Sequence, residues 1–120
     1  MLSGQLAQKV ALLMITHDLG VAATVCQNIA IMYGGAIVEY GPIRSILGAP
    51  RHPYTSGLLA AAPDFDPDRP SLVPIAGSPP VAGAFPVGCA FGPRCKLVGA
   101  RCGQEPALAG DGHQVACWFA

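Results

Sequence analysis

Four cysteines are grouped near the end of this chain as Cys89-x5-Cys95-x6-Cys102-x14-Cys117, within 29 residues. Thiolates in that number can hold a metal centre. Structural zinc favours paired Cys-x2–4-Cys knuckles, and none occurs here. Iron–sulfur clusters take four thiolates and accept wider spacings. By spacing alone three readings stand: an iron–sulfur cluster, a zinc ion, and thiols that are free or disulfide-linked. Arg94, beside Cys95, is either a counter-charge to such a centre or a solvated surface residue. His113 lies four residues before Cys117 and reads as a surface-loop histidine rather than a ligand. The fifth cysteine, Cys26, stands among Ala22, Ala23 and Val25 and reads as a small buried apolar residue.

A second group is Thr16-His17-Asp18-Leu19, directly after the unbroken apolar run Val10-Ala11-Leu12-Leu13-Met14-Ile15. A short continuous apolar run suits a strand buried on both faces, as in a parallel α/β sheet. Ligands of open α/β sheets bind beyond the carboxyl ends of such strands, where a histidine can donate to an anion. A structural histidine is the plainer reading of this position taken alone.

The elements that must position these groups can be read from local signals. Asp18 can cap a helix over Leu19 to Gln27. Asn28 to Tyr33 and Ala36 to Tyr40 are β-prone runs separated by Gly34-Gly35, a two-residue hairpin signal. Pro42 opens a short helix, Ile43 to Leu47. Pro53 suits the first turn of a helix over Tyr54 to Ala62. Between Pro63 and Pro93 lie eight of the twelve prolines, a density that admits neither helix nor central strand. Large apolar side chains are few after residue 63, mainly Phe65, Phe85, Phe91, Trp118 and Phe119. So small a core favours a staple such as a metal centre.

Composition narrows the classes. The 120 residues are 52% hydrophobic and 12% charged, with seven basic and seven acidic side chains. A zero net charge removes the electrostatic footprint of a nucleic-acid binder, and the apolar share excludes a polyelectrolyte-like disordered chain. Mean hydropathy is +0.44, and Leu19 to Val38 carries no charge over twenty residues. Gln27, Asn28, Gly34 and Gly35 break that run into helix, strand and turn rather than a membrane span. The first residues lack the basic start and apolar core of a signal peptide, so a reducing, cytosolic setting is expected.

The order of apolar strand, Thr16-His17-Asp18-Leu19, helix and Gly-Gly hairpin ending Glu39-Tyr40-Gly41 resembles the end of an ATP-binding cassette (ABC) ATPase domain. Pro50-Arg51-His52-Pro53-Tyr54-Thr55, Ile75-Ala76-Gly77-Ser78-Pro79-Pro80 and Pro86-Val87-Gly88-Cys89-Ala90-Phe91-Gly92-Pro93-Arg94-Cys95 resemble the oligopeptide/dipeptide importer ATPases. The resemblance runs from about residue 10 to residue 119. It implies an α/β fold: the end of a P-loop NTPase domain in residues 1–62, then a Pro/Gly-rich, loop-rich cysteine-cluster region in 63–120. It implies that His17 is the switch histidine facing the γ-phosphate, and that Cys89, Cys95, Cys102 and Cys117 ligate a [4Fe–4S] cluster. It further implies ATP and Mg in the complete cassette, permease subunits and a second ATPase subunit as partners, no nucleic acid, and a peripheral place on the cytoplasmic face of the inner membrane.

Several family motifs have no counterpart. No Gly-x4-Gly-Lys-Ser/Thr loop is present, since neither Lys9 nor Lys96 follows a glycine. No apolar strand ends in the Asp-Glu pair that would hold magnesium and orient water. Leu2-Ser3-Gly4-Gln5 lacks one glycine of the family's Leu-Ser-Gly-Gly-Gln signature and lies twelve residues before His17, too close for a catalytic strand between. The expectation is the C-terminal part of a peptide-importer ATPase, inactive alone, with the missing motifs on a separate chain if the gene is split. The alternative is a stand-alone iron–sulfur or zinc module derived from such a subunit.

Overall fold

A computed structural model describes residues 10–62 and 73–120. Helix α1 spans Leu19–Val25 and begins where Asp18 accepts the Val21 N–H at 3.1 Å. It ends two residues earlier than the sequence signals suggest, at Cys26, whose N–H bonds Ala22 at 2.9 Å. Strands β1, Asn28–Tyr33, and β2, Ala36–Pro42, form the expected antiparallel hairpin. Gly34 and Gly35 take φ of +59° and +80°, the left-handed pair that a tight primed turn demands. Helix α2 spans Ile43–Gly48 after Pro42, and helix α3 spans Pro53–Ala61 with Pro53 in its first turn. Among the described residues from 73 to 91 there is no helix or strand, as the proline density requires.

The cysteine region holds three short elements that carry no clear sequence signal. Short 3-10 turns occur at Gly92–Arg94 and Ala100–Gly103, and a two-residue strand β3, Gln114–Val115, pairs with β2. The sheet order is β1-β2-β3, antiparallel throughout.

Residues 10–15, expected as a buried strand for which this chain supplies no neighbours, form no strand. They make no sheet pairing, and Leu13 and Ile15 are 89% and 95% exposed. A strand buried on both faces needs neighbours on both edges, and the described residues supply none. No helix among the described residues is long and apolar enough to cross a membrane. The signature-like Leu2-Ser3-Gly4-Gln5 lies outside the described residues.

The core gathers Ile31, Tyr33, Val38, Ile46 and Phe91. Ile31 and Tyr33 follow the period of two along β1. On β2, consecutive Val38 and Glu39 are both buried. A register shift explains this: Ile31 faces Glu39 while Met32 faces Ile37, leaving Val38 as the extra residue. Such a bulge re-aims side chains, and here it turns a carboxylate inward. Phe91 brings the cysteine region onto the hairpin, with its ring 5.2 Å from Tyr33 and 5.5 Å from Tyr54. Edge-on aromatic packing of this kind contributes about 0.5–1.5 kcal/mol per pair beyond area burial.

Candidate functional site

Cys89, Cys95, Cys102 and Cys117 all line one cavity, walled by Phe91, Trp118, Phe119, two prolines and the His52 ring. Its empty volume, open mouth included, is about 290 Å³. Among the described residues, no Asp, Glu, Lys or Arg side chain lines it. Cys26 is not among its lining residues and sits half-buried at the end of α1.

The chain gathers the thiols by backbone means. The Cys89 N–H donates to the Cys102 carbonyl at 2.9 Å, joining two cysteine loops. Gly88 permits that approach: its φ is +82°, and a Cβ there would lie 2.3 Å from the Cys102 oxygen. The 3-10 turn at Gly92–Arg94 then carries the chain from Cys89 to Cys95, and the Leu97 N–H donates to Cys95 Sγ at 3.3 Å. Trp118 is held by its Nε1–H on the Gln104 carbonyl at 3.0 Å, with the Arg101 guanidinium 4.2 Å over its ring. Burial pushes the Cys95 thiol up, and the three neighbouring thiols push it further, against the Leu97 N–H. A metal centre binding here must displace that proton.

The cavity brings together four thiols, no carboxylate, an apolar wall and an N–H already on one sulfur. The arrangement is gathered rather than preformed. Among the described residues no group of three or more His, Cys, Asp or Glu side chains is placed to hold a metal ion. The thiols would therefore have to draw closer to hold either a zinc ion or an iron–sulfur cluster.

Behind the cavity lies a polar network that sequence reading missed. Glu39 is fully buried. Its Oε1 accepts the Arg51 N–H at 2.8 Å and pairs with His113 Nε2 at 2.5 Å, and its Oε2 accepts the His52 N–H at 3.0 Å. Burial alone would raise its pKa. The neighbouring Thr55 hydroxyl, which has no fully formed hydrogen bond, and the Arg51, His113 and His52 donors outweigh burial and hold Glu39 below the usual carboxylate range. His113 is thus a half-buried partner of Glu39 and not a free loop residue. The one sequence signal was a lone glutamate in an otherwise apolar strand.

Arg94 fits neither of its two readings. Its Nε donates to the Ala76 carbonyl at 3.0 Å and its Nη1 to the Tyr33 hydroxyl at 3.3 Å, pinning the proline-rich arm to the hairpin. It does not line the thiol cavity. His17 is exposed just before α1, apart from the buried network, beside the Thr16 hydroxyl that accepts the Asp18 N–H at 3.0 Å.

His52 connects the two assemblies. Its Nδ1 accepts the Tyr54 N–H at 3.0 Å and caps α3. Burial drives its pKa down to about 4, against the opposing pull of the Glu39 charge. The folded state therefore holds the ring neutral where the unfolded chain, titrating near ~6.5, takes up a proton. Stability is full above the unfolded value and falls as pH drops toward the folded one. The metal-free chain is expected to lose about 1.4 kcal/mol per pH unit across this window, roughly 3 kcal/mol in all. Urea denaturation at pH 7 and pH 4.5 measures it. His52→Asn, which keeps a capping acceptor, should flatten the slope, and an unchanged slope in that variant would assign the loss elsewhere.

Comparison with known proteins places these features. The family model described as the oligopeptide/dipeptide transporter C-terminal region matches residues 38–102. A probable D,D-dipeptide transport ATP-binding protein of Escherichia coli is 41% identical over 94% of this chain and 35% of its own length. An oligopeptide transport ATP-binding protein of Haemophilus influenzae is 41% identical over 91% of this chain and 34% of its own. A probable peptide ABC transporter ATP-binding protein of Sinorhizobium fredii is 46% identical over 90% and 32%. The chain spans about a third of the length of the curated relatives it matches.

Proposed function

Because the chain belongs to the oligopeptide/dipeptide transporter C-terminal-region family, we propose that it serves as part of the ATP-binding subunit of an ABC importer for oligopeptides or dipeptides. The observation that carries this reading is the likeness to peptide-transport ATP-binding proteins over more than nine-tenths of the chain. Residues 1–62 are assigned to the end of the cassette and 63–120 to the cysteine region, the two sharing the core around Phe91. His17 is assigned to the γ-phosphate contact. ATP and magnesium belong to the complete cassette. Within these 120 residues no phosphate-binding loop or Asp-Glu pair occurs, so the chain by itself has no means to cradle phosphates or hold magnesium. Permease subunits and a second ATPase subunit are the partners this role entails, on the cytoplasmic face of the inner membrane, with the missing motifs on the same or a separate chain.

The decisive experiment exchanges the matching third of a complete dipeptide-transport ATPase for this chain, in cells lacking that ATPase. Restored uptake of a labelled dipeptide is expected. A chimera that assembles with the permease yet imports nothing would overturn the assignment.

A [4Fe–4S] cluster on Cys89, Cys95, Cys102 and Cys117 is the finer part of this proposal. Convergence of four thiols on one uncharged cavity supports it. A cluster there supplies a covalent staple for a loop-rich region, while the chain's own residues provide the ligands and the N–H on Cys95. Anaerobic purification should yield iron and sulfide in equal amounts. Serine at any of the four positions should abolish both, while Cys26→Ser keeps them. Stoichiometric zinc without sulfide would refute the cluster.

A further inference from the structure

His17 is exposed at a bend in the chain, and among the described residues no hydrogen bond, ion pair or ring contact reaches its side chain. Nothing around the imidazole sets its direction. Packing upstream does not set it either, since Ile15 is 95% exposed and residues 10–15 make no sheet pairing. What remains is the backbone that carries the ring, and that backbone is pinned from both sides.

The Asp18 N–H donates to Thr16 Oγ1 at 3.0 Å, a bond that arches over His17 from the residue before it to the residue after it. Asp18 is held again by its side chain and its carbonyl: Oδ1 accepts the Val21 N–H at 3.1 Å, and the carbonyl accepts the Ala22 N–H at 3.2 Å. In a capping box, a Glu or Gln at the third helical position takes the N–H of the capping residue. Here that position is Val21, which has no such acceptor. The N–H is taken from the other side, by Thr16, so the ring of bonds closes around His17 instead of inside the helix. Side-chain turns and caps of this kind are local devices that need no distant partner.

We propose that Thr16 and Asp18 are positioning residues for His17, which together fix the backbone on either side of it and so set the direction of its imidazole before nucleotide arrives. This rests on the assignment of His17 to the γ-phosphate contact. A donor to developing charge is effective when it is in place ahead of the reaction and needs no reorganisation during it. Thr16 and Asp18 supply that condition without touching nucleotide themselves.

The test uses the exchange described above, a complete dipeptide-transport ATPase carrying this chain as its matching third, and follows ATP turnover against ATP concentration. Thr16→Val and Asp18→Ala should each lower kcat about fivefold, the factor that follows from the usual net contribution of one hydrogen bond. KM for ATP should not move. Thr16→Ser and Asp18→Asn keep the two acceptors and should recover most of the loss. In a His17→Ala background, neither Thr16→Val nor Asp18→Ala should slow turnover further, because a residue that acts only through His17 has nothing left to act on. Equal slowing with and without His17 would assign both residues to the stability of the loop and overturn the inference. Wild-type turnover in Thr16→Val and Asp18→Ala, beside a slow His17→Ala, overturns it as well and leaves the role of His17 standing. A loss from Asp18→Asn as large as that from Asp18→Ala would show that Asp18 acts by its charge, against a positioning role. Undiminished turnover in His17→Ala, or none in the unmodified exchange, removes the γ-phosphate reading and this inference together.

Discussion

Glu39→Ala is expected to lower the stability of this chain by about 3–5 kcal/mol, the loss typical when one member of a buried charged network is removed. Glu39 is fully buried and is the single acceptor for two backbone N–H groups and an imidazole. Each donor stranded without a partner costs about 1–3 kcal/mol. The bonds join β2 to the loop that starts α3 and to the loop before β3, segments 12 to 74 residues away in sequence. Domains of this size are stable by only about 5–15 kcal/mol, so the loss is a large share of the total. Glu39→Gln keeps the shape but turns an amide donor toward donors, and should lose a smaller part. Urea denaturation followed by tryptophan fluorescence reports both, since Trp118 sits on the cavity wall. A Glu39→Ala midpoint within error of wild type would mean the network adds no net stability.

In a complete ATPase carrying this chain's sequence, His17→Ala should reduce turnover about 100- to 1000-fold, the usual cost of losing one preorganised donor to developing charge. Nucleotide should still bind, because the phosphate-binding loop is a separate element. His17 is exposed, immediately before the Asp18-capped helix α1, and its γ-phosphate role is proposed from the family resemblance. Single-turnover ATP hydrolysis with a parallel nucleotide-binding measurement separates the two effects. Undiminished turnover would show that His17 does not contact the γ-phosphate, and a loss confined to binding would give it a different role.

Much of the local structure is legible in the residues. Asp18 starts α1, Gly34-Gly35 turns the hairpin, and Pro53 opens α3. Each depends on the backbone preferences of a few adjacent residues, which do not change with the surroundings. Residues 10–15 were misleading for the opposite reason. An apolar run states what it would bury, and burial depends on neighbouring strands that the described residues do not contain. Arg94 was misjudged similarly: its neighbour in sequence is Cys95, but its partners are Tyr33 and Ala76.

The residues by themselves determined the membership of the family, the count and grouping of the cysteines, and the short elements before them. All of these are properties of type and spacing. Tertiary structure alone decided that four thiols face one cavity, that a β-bulge turns Glu39 inward, and that His113 and His52 close around it. The physical reason is range. A cap or a turn is settled within three or four residues, whereas Glu39 meets His113 across 74 residues. The pairing of β3 with β2 brings His113 to Glu39, Phe91 packs on the His52 ring, and the neutral state of His52 is a consequence of its burial.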